Sequence, residues 1–387
     1  MNAHRGRILR LLPNRVWRTY SGGLMLDRME GRPEPADGPF PEDWLGSTVR
    51  AINPNRDVKD EGLARVTSSG GEAVLADLVA ADPEYFLGTA HVARFGTNPM
   101  VLVKYLDSAV RLPFQVHPTV EFSRRHLDAE SGKTEAYYIL STRPDVAEPY
   151  IYLGFQHPPT REELRRMIVE QDIAAMERCF EKIPVTPGDV YVVSGGLPHA
   201  IGGGVLMVEV MEPTDFVARV EFTVAGRVIP ESARFMNRDV DFALDMFSFE
   251  PLPASAVQST WHCHPRTIDR NATLHREALV DGRVTDRFSV LRTTLKGRSP
   301  WRARGFTVLL VVEGSCDIAT AHETASLSLF DRIVVPHGVD ALDITSQHGV
   351  VLLECLPPGT ATHLPPPRLS GTMHGCSAPD HAVARLR

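Results

Sequence analysis

The stretch Pro187-Gly188-Asp189-Val190-Tyr191-Val192-Val193-Ser194-Gly195-Gly196-Leu197-Pro198-His199-Ala200-Ile201-Gly202-Gly203-Gly204 decides the fold. Val190–Val193 is β-branched and aromatic, which suits a strand. The glycine pair after it is a tight-turn signal. A second strand leaves the turn, and His199 at its start is aimed at the mouth of whatever the strands enclose. Similar short apolar runs surround this stretch. They are VLVKYLD (101–107), PFQVHP (113–118), GKTEAYYIL (132–140), YIYLGF (150–155), GVLMVEVME (204–212) and FVARVEFTV (216–224). A second block holds 288–297, 306–314, 315–321, 331–338 and 349–356. Short strands at spacings of roughly ten residues indicate a sandwich or jelly roll.

Other segments break the pattern. Thr160 followed by Glu163 predicts a capping box, and 160–183 reads as two short helices inserted between strands. Helical signals are also expected at 71–82 and 83–95, whereas 1–60 reads as irregular. The chain has 387 residues, 43% of them hydrophobic, enough for more than one core. The net charge is −7 with no basic run, which argues against nucleic-acid binding. No apolar stretch of membrane-spanning length occurs. The apolar part of the N-terminus is too short for a signal peptide, so it reads as mature sequence. Five scattered cysteines without a CxxC pair point to reduced thiols and a cytoplasmic location.

The stretch 187–204 resembles the second motif of cupin barrels. Gly188, Gly196 and His199 fall in register, while Ser194 and Gly203 replace the motif's Pro and Asn. In the second block Pro336 and Gly338 fit the same pattern, but Ala341 stands at the histidine position. The expected fold is therefore mainly β. It comprises two cupin (jelly-roll) domains: a catalytic one at 1–245, with a helical insert at about 156–182, and a second at 246–360 without metal ligands. A flexible tail is expected over 361–387.

Three further motifs sharpen the resemblance. Gln115-Val116-His117-Pro118 puts two potential ligands on one strand face. Gly132-Lys133-Thr134-Glu135 follows, with Glu135 eighteen residues after His117. His199-Ala200-Ile201-Gly202 comes next, then Glu209, Asp215 and Arg219. In this order the set resembles the type I phosphomannose isomerases. The opening NRVWRTYSGG (14–23) is similar to that family's first segment, with Trp17-Arg18 in place of Trp-Gly.

The resemblance implies interconversion of mannose 6-phosphate and fructose 6-phosphate through a cis-enediol. It implies one Zn2+ held by Gln115, His117, Glu135 and His199. Lys133 and Arg219 would line the substrate pocket, with Asp215 orienting Arg219. Lys133, Glu209 and Arg219 are the candidates for proton transfer. The expected partner is a small sugar phosphate, with neither nucleic acid nor membrane involved. A different sugar, an Fe(II) cupin oxygenase and a non-catalytic sugar-binding protein are the rival readings. The Trp261-His262-Cys263-His264 run has no second ligand cluster near it in sequence and reads as structure or loop.

Overall fold

The computed structural model describes residues 4–53, 56–339 and 341–359. The expected tail at 361–387 lies outside them. Strands dominate, as the sequence patterning indicates. A six-stranded sheet runs in the order Val190–Val193, Glu135–Thr142, Val205–Met211, Leu102–Ser108, Glu42–Leu45, Arg15–Val16. A five-stranded sheet orders Ile183–Pro184, Tyr150–Leu153, His199–Ile201, Gln115–Val116, Ala218–Arg219. Side chains including Leu106, Tyr137, Ile139, Ile151, Ile201 and Met207 form one buried cluster drawn from both sheets. Every residue of Val205–Met211 is buried, which explains its continuous apolar run, interrupted by Glu209 alone.

The second block forms a ten-stranded sheet whose long strands, Ser289–Trp301, Thr307–Ala319 and Leu342–Leu356, pair with one another. Its interior holds Trp301, Leu309, Ile318 and Ile344. This sheet also takes strands from the other end of the chain. Leu9–Leu11 pairs with Arg332–Val335 on one side and with Arg65–Ser68 on the other, and Gly71–Val74 completes the edge. Leu9, Leu45, Val103, Val208, Val308, Val334 and Leu353 then share one core between the two sheet systems.

The insert folds as two helices, Arg161–Glu170 and Ile173–Glu177. Thr160 accepts from the Glu163 backbone while the Glu163 side chain returns to Thr160, which is the expected capping box. Three expectations change. Gly71–Val74 is a strand, because it closes a hairpin with Arg65–Ser68, and only Leu75–Ala81 is helical. Only Ala218–Arg219 and Thr223–Val224 are strands within 216–224. The described residues of 1–60 hold three strands and a helix, the strands recruited by pairing with distant partners rather than by local propensity. No helix among the described residues is long and apolar enough to cross a membrane.

Leu9 is fully buried between the two sheet systems. Leu9→Ala is expected to cost about 2–5 kcal/mol through lost transfer energy and the cavity left behind. A urea-unfolding midpoint indistinguishable from the parent's would contradict this stitching role.

Candidate active site

Strand register assembles the site across the gap between the two smaller sheets. In the five-stranded sheet Gln115 lies directly opposite both His199 and Arg219. In the six-stranded sheet Glu209 lies opposite Lys104 on one side and Tyr137 on the other. Directly paired residues point to the same face. The strand period of two then places Glu135 with Tyr137 and adds its carboxylate to that row. Arg18, Glu42, Lys104, Gln115, Lys133, Glu135, Glu209, Asp215 and Arg219 all line one narrow cavity.

His117, Glu135 and His199 bring their ligand atoms within 4.8 Å of one another, all three residues buried. His117 Nδ1 is 2.8 Å from the Phe216 carbonyl, and His199 Nδ1 is 2.8 Å from the Leu197 carbonyl. A proton on each Nδ1, donated to those carbonyls, leaves both Nε2 lone pairs facing inward. His117 Nε2 lies 3.0 Å from Glu135 but has no aligned hydrogen-bond partner. His199 Nε2 lies 3.7 Å from the other carboxylate oxygen. Burial lowers the His117 pKa to about 3 and lowers that of His199, so both rings are neutral, the form that binds metal. Burial alone would raise Glu135, but the charged and polar groups around it, with Lys133 as the cation, hold the carboxylate well below its usual range. The Gln115 amide is 3.2 Å from His199 Nε2, and a half-turn would present its oxygen to the same point. Two neutral imidazoles, one with an orphaned buried nitrogen, and a carboxylate fit a divalent cation.

Lys133 Nζ is 3.2 Å from Glu135 and Tyr137 donates to the same carboxylate at 2.8 Å. Behind them runs a ladder of alternating charge. Lys104 is 3.1 Å from Glu209 and 3.5 Å from Glu42; Glu42 is 2.9 Å from Arg18. Burial and the Glu135 charge push Glu209 well above the ordinary carboxylate value, so it holds a proton readily. Asp215 does not bond Arg219 as the sequence suggests. It accepts from Arg18 at 3.2 and 3.3 Å and from the Ile52 backbone at 2.8 Å. Arg219 instead donates to the Ala233 carbonyl at 2.8 Å, and among the described residues it has no carboxylate within ion-pair distance.

Sequence reading missed Lys104 and Tyr137, which stand on runs read as plain strands, and Glu42 and Tyr20, which fall in the segment read as irregular. The one signal was a charged residue inside an apolar run, as in VLVKYLD. The Trp261–His264 run takes no part: His262 stacks on Tyr191 and pairs with Asp189 at 3.3 Å.

Burial would raise Glu42, but Arg18 and Lys104, with hydrogen bonds from Tyr20 and Trp44, hold it well below the carboxylate range. A depressed folded pKa stabilises above the unfolded value and loses that stabilisation as pH falls. The thermal midpoint is therefore expected to drop from about pH 5 downward. Glu42→Gln should lower the midpoint at neutral pH and flatten that acid limb. An unchanged acid slope in the variant would refute the assignment.

No family profile matches the chain. It is 26% identical over 246 residues to mannose-6-phosphate isomerase ManA of Bacillus subtilis, covering 62% of this chain and 70% of that one. It is 38% identical over 120 residues to a mannose-6-phosphate isomerase of Streptococcus mutans, covering 31% of this chain and 35% of the relative. The crystal structure of the B. subtilis mannose 6-phosphate isomerase superposes with a TM-score of 0.68 at 21% identity, over 90% of this chain and 99% of that one. A phosphomannose isomerase variant from Salmonella typhimurium gives 0.65 at 16% identity, over 91% and 99%. By sequence and by fold together, this chain is a relative of the type I phosphomannose isomerases and shares their cupin fold.

Proposed function

We propose that this chain is a zinc-dependent aldose–ketose isomerase interconverting mannose 6-phosphate and fructose 6-phosphate. The observation that carries the reading is the facing of two rows. Glu135, which belongs to the ligand set with His117 and His199, lines one cavity with the buried acid–base group Glu209 and the cations Lys133 and Arg219. The names of the B. subtilis and S. mutans relatives supply the substrate. Catalysis is assigned to the first unit, with the 246–360 block as a second cupin that supports it.

His117, Glu135 and His199 would hold the zinc, with the Gln115 oxygen as a neutral fourth ligand. When bound there, zinc polarises the sugar oxygens and stabilises the negative charge of the enediolate. The reaction moves one proton between C1 and C2 on one face of a cis-enediol. Glu209 is the group suited to carry it, because its pKa lies well above the ordinary carboxylate value and Lys104 fixes its carboxyl at 3.1 Å. Lys133 stands beside Glu135 and can donate to a developing oxyanion. Arg219, uncompensated, is the group for the phosphate. The central space is about 30 Å³, enough for a water or two but not for a hexose, so binding moves lining side chains apart.

A coupled assay with mannose 6-phosphate, with chelator and with zinc restored, tests the reading. Turnover should vanish with chelator and return with zinc. Absence of fructose 6-phosphate from zinc-loaded protein would overturn the substrate assignment. His199→Ala should reduce turnover by about 100-fold or more. Its thermal midpoint should stay near the parent's, because the ring belongs to the polar cluster with His117 and Glu135 rather than to the apolar core.

A further inference from the structure

We propose that Arg18 is a positioning residue that keeps Arg219 available to the substrate by holding Asp215 away from it. The inference rests on the reading that Arg219 takes the phosphate. Asp215 lies four residues before Arg219, and its charge acts on that guanidinium without touching it. Two arginines therefore compete for one carboxylate. Arg18 holds it with two contacts, Nη2 to Oδ1 at 3.2 Å and Nη1 to Oδ2 at 3.3 Å. The Ile52 backbone N–H takes Oδ2 at 2.8 Å.

Arg18 is itself fixed. Its Nε donates to Glu42 at 2.9 Å, its Nη1 reaches Asn53 at 3.1 Å, and its guanidinium lies 4.9 Å from the centre of the Trp44 ring. It is 3% exposed, so water does not weaken these contacts. Arg219 spends one donor on the Ala233 carbonyl and keeps the rest of its fork for a ligand.

Without Arg18, Asp215 is expected to turn to Arg219 and neutralise it. Losing one charge-assisted contact to the phosphate corresponds to about a tenfold change in binding. Arg18→Met keeps the packing volume and removes the charge. In this variant KM for mannose 6-phosphate and Kd for fructose 6-phosphate should rise about tenfold, with kcat within about twofold. Adding Asp215→Asn should bring both constants back toward the parent's, because the competing charge is gone. A merely structural Arg18 would not show that rescue. A crystal structure of Arg18→Met should show Asp215 and Arg219 within about 4 Å.

Should Arg18→Met fail to fold, Arg18→Lys, which gives up one of the two contacts, should show an intermediate rise cancelled by the same Asp215→Asn change. Unmoved constants in the Arg18 variant, or a rise that Asp215→Asn does not cancel, overturn the inference. Arg219→Ala separates the two layers. If it raises KM while the Arg18 variant does not, the phosphate reading stands and the clamp falls. If it leaves KM unmoved, the phosphate reading fails and takes the inference with it.

Discussion

The site depends on a single piece of backbone, the His117-Pro118-Thr119 segment, on which two other loops close. Lys133 N–H donates to the Pro118 carbonyl at 3.0 Å and Gly196 N–H to the His117 carbonyl at 2.8 Å. The close approach leaves no room for a side chain at the neighbouring Gly132 and Gly195. A Cβ on Gly132 would stand 2.6 Å from the Pro118 oxygen, and one on Gly195 would stand 2.5 Å from the same atom. The loop bearing Lys133 and Glu135 and the loop leading to His199 are therefore both held against the segment that begins at His117. Ligands from three distant parts of the sequence converge because their carriers share one contact surface. The glycines of GKTE and GGLPH are thus geometric requirements rather than loose turns.

Burying so many charges needs an answer, because each would be costly alone. Here the answer is alternation. Arg18, Glu42 and Lys104 follow one another beside the cavity, Glu42 also accepts from the Tyr20 hydroxyl and the Trp44 indole, and Glu209, next to Lys104, sheds its charge by taking up a proton. Lys133 and Tyr137 do the same for Glu135. Charge is neutralised pair by pair around the cavity wall, and Arg219 remains the cation with no carboxylate within ion-pair distance among the described residues. An environment this fixed needs little reorganisation when charge develops on a ligand.

The sequence made part of this legible. The mainly β fold, the capped helical insert and the cluster of His117, Glu135 and His199 could be read because short motifs carry their own geometry. Two residues apart on a strand means one face, and glycine before histidine means a turn. Lys104, Glu42 and Tyr137 could not be read in this way. Their place beside Glu209 comes from the register between strands up to 167 residues apart (Glu209 minus Glu42), which no local spacing encodes. Asp215 was misassigned for a related reason. Its neighbour in sequence is Arg219, but its partner in space is Arg18, 197 residues away. Nor does anything in the composition of 9–11 reveal that those residues belong to the C-terminal sheet.

That last pairing bears on how the molecule comes to be made. Leu9 finds its partner in Val334, 325 residues later in the chain, so a strand made earlier waits for one made much later. Until then Leu9 lacks a neighbour it shares with Val334 in the common core, and the face carrying Leu45, Val103 and Val208 stays uncovered. Closing so long a loop is entropically slow and leaves apolar surface open to other chains in the interval. The same stitch has a reverse benefit once it is made. Unravelling either end breaks the core shared by both sheet systems, so the two units are expected to unfold together rather than in turn.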